Sequence, residues 1–138
     1  MPFIQNVSYT NFEEGFHLDP TENSIAIQMI GSKNDFGYAG EPVPFPKPFY
    51  TYREIYPFRI NDTIDESGIT DDQAEVIVHL LNTAYKSDTN VIAHCIAGVS
   101  RSGAVVEIGK MIGFSVTKTV RRPNPLMVEK MLKFLNPK

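Results

Sequence analysis

The chain carries one cysteine in 138 residues, and it stands six positions before an arginine in the run His94, Cys95, Ile96, Ala97, Gly98, Val99, Ser100, Arg101, Ser102, Gly103. An arginine offers a planar fork of donors that holds two phosphate oxygens at once. A thiol beside that cation, and beside a helix N-terminus, loses its proton readily and becomes a strong nucleophile. Gly98, among small residues, lets successive backbone N–H groups point inward as an anion-binding nest. The chemistry these residues compose is attack of the Cys95 sulfur on phosphorus, with the oxygens held by the backbone of Ile96, Ala97, Gly98, Val99 and Ser100 and by Arg101. No lysine follows the glycine, so binding of a nucleoside triphosphate in the Walker manner is not expected.

Such a loop works only if a strand delivers the cysteine and a helix receives the arginine. The short apolar run at 90–93, Asn-Val-Ile-Ala, suits a buried strand, and residues 102–114 read as a helix that ends near Gly113. Upstream, 24–30 and 50–60 are rich in β-branched and aromatic residues and read as strands, with Pro57 bending or ending the first part of the second. Residues 3–7 form a weaker strand candidate. Thr70 to Gln73 has capping-box spacing, and Ala74, Ile77, Val78, Leu81, Ala84 and Tyr85 follow at helical intervals, so a helix is expected from about 70 to 86. Asp71 and Asp72 are charges suited to its first turn. A closing helix is expected after Asn124, which can cap it, with Leu126, Val128, Met131, Leu132 and Leu135 as its apolar face. Residues 34–50 alternate prolines with aromatics and read as a loop, either a rim touching substrate or a cover for a sheet edge.

The formal charge is −3, with 13 basic and 16 acidic side chains, so no broad positive field exists to attract nucleic acid or an anionic membrane. The length suits a single domain over 1–138. One unpaired thiol favours a reducing, cytoplasmic setting, and the start of the chain lacks the pattern of a secretory signal. There is no Cys/His cluster to suggest a metal.

His94, Cys95, Gly98, Arg101, Ser102 and Gly103 match the HCxxGxxRSG signature of the cysteine-dependent protein tyrosine phosphatase superfamily, and the chain resembles its compact dual-specificity type. The resemblance extends in element order over roughly residues 50 to 136 and is specific at the loop. It implies an α/β fold with a mostly parallel central sheet flanked by helices, and the phosphate loop between a buried strand and a helix. It further implies Cys95 as the nucleophile of a phosphocysteine intermediate, Arg101 as the phosphoryl holder, Ser102 as the aid to the departing thiolate and His94 as a buried residue ordering the loop. The substrate would be a phosphorylated protein or peptide, with neither metal nor organic cofactor. Such enzymes take the leaving-group proton from an aspartate on a loop ahead of the signature. Asp62, just past the apolar run ending at Ile60, is the first candidate and Asp65 the second. The chain has no tryptophan, hence none of the Trp-Pro-Asp acid loop of the larger tyrosine-specific enzymes. A non-protein phosphoester (phosphoinositide, RNA 5′ end or nucleotide) and a phosphate-binding pseudophosphatase remain as alternatives.

Overall fold

A computed structural model of the chain describes residues 2–14, 23–31, 53–65, 67–95, 98–116 and 121–135. The elements, in chain order, are β1 (Phe3–Ser8), α1 (Tyr9–Glu14), β2 (Ser24–Ile30), β3 (Glu54–Arg59), α2 (Asp71–Lys86), β4 (Asn90–Cys95), α3 (Arg101–Ile112), β5 (Ser115–Val116) and α4 (Pro125–Leu135). The strands form one sheet in the order β3-β2-β4-β1-β5, and every pairing is parallel. Parallel sheets are covered on both faces, and β2 is accordingly buried at all seven of its positions. Among the described residues no helix is long and apolar enough to cross a membrane.

Strand alternation sorts the core into two layers. Ile4, Ile25, Ile27, Met29, Val91, Ala93 and Cys95 share a cluster with residues of α2, α3 and α4. Val7, Ala26 and Ile92 lie on the other face and pack with Phe12 of α1. β4 sits between β2 and β1, so its C-terminal end opens at the middle of the sheet, where open α/β folds bind their ligands.

The expected capping box is present: the Gln73 N–H donates to Thr70 Oγ1 at 3.1 Å, and the Thr70 N–H donates to Gln73 Oε1 at 3.0 Å. α2 then buries Ala74, Ile77, Val78, Leu81 and Ala84. Each large side chain among them contributes about 1.5–3 kcal/mol by leaving water, and Leu81→Ala would cost about 2–5 kcal/mol.

Two expectations need correction. β3 runs through Pro57 without a break, because β3 is the edge of the sheet. The Ile60 N–H donates to Ile30 O at 2.9 Å, and strand alternation turns the amide position of Pro57 to the outer side, where no ladder bond is lost. In α4 the buried residues are Met127 and Met131, whereas Leu132 is 43 % exposed. The rest of the expected face holds, with Met131 buried and Leu126, Val128 and Leu135 packed against the core, so Leu132 alone falls outside it and Met127 joins it. Lys130 and Lys133 lie 4.0 and 3.8 Å from Asp71 of α2. The expected loop at 34–50 lies outside the described residues.

Candidate active site

β4 ends at Cys95, which is 2 % exposed, and α3 begins at Arg101, also 2 % exposed. Ile96 and Ala97 lie outside the described residues. Gly98 has φ 78°, the left-handed region that glycine enters at no steric cost. A Cβ there would come within 2.4 Å of Ser8 N and 2.5 Å of Val7 C, so the loop rests on the backbone of β1. The other side is strapped by the segment before α4: the Arg122 N–H donates to Val99 O at 2.8 Å, and the Asn124 N–H to Ser100 O at 3.0 Å.

Within this frame Cys95 Sγ lies 3.3 Å from Ser102 Oγ, both atoms buried. The end of β4 thus brings the cysteine, and the first turn of α3 the serine, to one point. Arg101 extends beneath the end of β3, where its Nη1 donates to Ile60 O at 2.7 Å. That bond fixes the guanidinium from one side. A buried cation needs such partners, because burial without them is costly.

The two acid candidates have different surroundings. Asp62 accepts through Oδ1 from Ser100 Oγ at 2.8 Å and from Asn124 Nδ2 at 2.8 Å, so it is joined to the phosphate loop itself. Asp65 turns back on its own segment. Its Oδ1 accepts from Ser67 Oγ at 2.5 Å, from the Ser67 N–H at 2.9 Å and from Thr63 Oγ1 at 3.0 Å. The Ser67 hydroxyl foremost, then the Ser67 N–H and Thr63, hold the Asp65 carboxyl below the usual aspartate range. A carboxyl so stabilised as its anion is a poor proton carrier near neutral pH.

No protein-family model matches the chain, and no curated protein does. Solved structures do match. A human tyrosine phosphatase-like serine/threonine/tyrosine-interacting protein is 15 % identical, with a TM-score of 0.64 covering 97 % of this chain and 91 % of that one. Human DUSP28 is also 15 % identical, with a TM-score of 0.58 covering 98 % of this chain and 92 % of that one. The fold is that of the compact dual-specificity-type cysteine phosphatases.

In this phosphatase fold His94 occupies the face of β4 opposite Cys95. Its ring stacks on Phe12 at 4.3 Å and meets Tyr9 edge-on at 5.7 Å, and Nδ1 lies 3.4 Å from Cys95 O. The ring thus packs against α1, and its polar contact is with the end of its own strand. Arg121 pairs with Glu107 at 3.2 Å, while Arg122 is exposed near the loop. Three residues at the site escaped sequence reading. Ile60 offers only a backbone carbonyl, which no side-chain pattern reveals. Asn124 is legible as a helix cap, and its Oδ1 does accept the Met127 N–H at 3.1 Å, but its second role at Asp62 needs the fold. Asn6 donates to Gly98 O at 2.6 Å from a strand 92 positions away, and one polar residue among the three of β1, with Gln5 and Ser8, carries no local signal of that contact.

Proposed function

We propose that the chain, acting as a single domain, hydrolyses phosphate monoesters on protein tyrosine, and also on serine or threonine, through a phosphocysteine intermediate. The observation that carries this reading is the grouping of Cys95, Ser102, buried Arg101 and loop-bound Asp62 at the centre of the sheet's C-terminal edge. Cys95 sulfur attacks phosphorus and the bond to the ester oxygen breaks, while Asp62 gives that oxygen its proton. Oδ1 of Asp62 accepts from Ser100 and Asn124, which holds the carboxyl beside the loop. Arg101 and the loop amides hold the equatorial oxygens as charge moves onto them. Water then attacks phosphorus, Asp62 takes the water's proton, and the sulfur–phosphorus bond breaks with Ser102 donating to the thiolate 3.3 Å away.

One observation favours a second reading. One of the similar solved structures is described as a tyrosine phosphatase-like serine/threonine/tyrosine-interacting protein, which favours, beside turnover, a module that binds without cleaving. Hydrolysis of a phosphotyrosyl peptide by wild type, Cys95→Ser and Asp62→Asn in metal-free buffer separates the two. Turnover lost with Cys95→Ser and slowed with Asp62→Asn supports the enzyme. A wild type that holds the peptide without cleaving it, with Cys95→Ser binding equally well, would establish the binding module instead.

A further inference from the structure

We propose that Asn6 is a positioning residue for the phosphate loop: by holding the Gly98 carbonyl against β1, it aims the Val99 N–H at the bound phosphate. The proposal rests on the reading of residues 95–101 as that loop. Asn6 is fully buried and pairs in register with Ala93. Its face of the sheet is otherwise filled here by Ile4, Val91, Ala93 and Cys95. An asparagine in such a place is unfavourable unless its polar atoms are used. Its Nδ2 is used, donating at 2.6 Å to Gly98 O.

The consequence follows from peptide geometry. The C=O of Gly98 and the N–H of Val99 belong to one planar trans peptide and point in opposite directions. Fixing the carbonyl toward β1 therefore fixes the Val99 N–H away from it. This peptide is open to reversal, because Gly98, at φ 78°, lacks the Cβ that would bar it from other regions of backbone space. A reversed peptide would present a carbonyl dipole to an anion in place of a donor. The Asn6 bond opposes that reversal, and the close seat of Gly98 on Val7 and Ser8 keeps the loop within its reach.

The test compares wild type with Asn6→Leu and Asn6→Asp, both near the natural size and neither able to donate. Calorimetric Kd for inorganic phosphate, kcat and KM for p-nitrophenyl phosphate, and Tm are measured for each. The expected result is a phosphate affinity about tenfold weaker, with kcat/KM falling at least as far, in folded protein. A lower Tm with unchanged phosphate Kd and kcat/KM would mean a role in core packing alone and would overturn the proposal. Should both variants fail to fold, the wild type still decides: the Asn6 side-chain amide resonances must shift as phosphate saturates the loop, and unmoved resonances overturn the proposal. A wild type that binds phosphate without turnover refutes the phosphatase reading while the Asn6 comparison of Kd stands. A wild type that binds no phosphate overturns both.

Discussion

Replacement of Asn124 by aspartate isolates the tether between α4 and the acid-bearing loop. Asn124 does two jobs through different atoms: Oδ1 caps α4 by accepting from the Met127 N–H, and Nδ2 donates to Asp62 Oδ1 and to Thr63 O at 2.8 and 3.1 Å. Asn124→Ala loses everything, namely about 1 kcal/mol of cap, about 1 kcal/mol of bonding to Thr63 and up to about 1 kcal/mol at exposed Asp62. Asn124→Asp keeps the cap, since aspartate serves there as well as asparagine. It loses both donated bonds and sets a second carboxylate at the 2.8 Å separation from Asp62, where two unit charges in bulk water repel by about 1.5 kcal/mol. The aspartate variant should thus be destabilised by about 2.5–3.5 kcal/mol, at least as much as the about 2–3 kcal/mol of alanine, and added salt should recover part of the loss. Urea unfolding at low and high salt reads this directly. In activity, both variants should slow phenyl phosphate, whose leaving group needs the proton, by about tenfold, and slow p-nitrophenyl phosphate less. An Asn124→Asp protein as stable as wild type and equally active on both esters would refute the tether.

Gly98→Ala should lose phosphate binding along with stability, since the left-handed φ alone costs about 1–2 kcal/mol and the 2.4 Å approach of a Cβ to Ser8 N adds to it; calorimetry showing intact phosphate affinity would contradict this. Arg101→Lys keeps a charge but not the fork that serves both Ile60 O and two phosphate oxygens, so kcat/KM should fall about 100-fold; a change of under threefold in a phosphopeptide assay would count against that role. The Asp65 carboxyl is held low by Ser67 and Thr63, so its anion stabilises the fold above the ordinary aspartate range, and that contribution fades as pH falls through its own lower value. Thermal melts of wild type and Asp65→Asn should therefore separate near pH 7 and draw together as the pH falls below the ordinary aspartate range, with kcat little changed; a gap that does not narrow in acid would refute the assignment.

The elements that deliver the loop are legible because their signals are local. The capping box at Thr70 and Gln73, the buried run leading to Cys95 and the glycine ending α3 each act within a few residues, and each appears where the sequence places it. What stays hidden depends on sheet order. Pro57 is tolerated because β3 is an edge, and Asn6 reaches Gly98 because β1 lies next to β4; neither adjacency is written in the chain locally. The choice between Asp62 and Asp65 shows the same division. Both stand on one loop, and only the packing of Ser100 and Asn124 against it separates a carboxyl facing the loop from one closed on its own turn.

The most direct test of the central claim is to trap the covalent intermediate. Wild type and Ser102→Ala are mixed with p-nitrophenyl phosphate in metal-free buffer, quenched rapidly in acid, digested and analysed by mass spectrometry. The account predicts a phosphoryl group on the peptide containing Cys95, more abundant in Ser102→Ala because the thiolate departs without its hydroxyl partner. Turnover with Cys95 unmodified at every quench time, or a phosphoryl group on another residue, would contradict it.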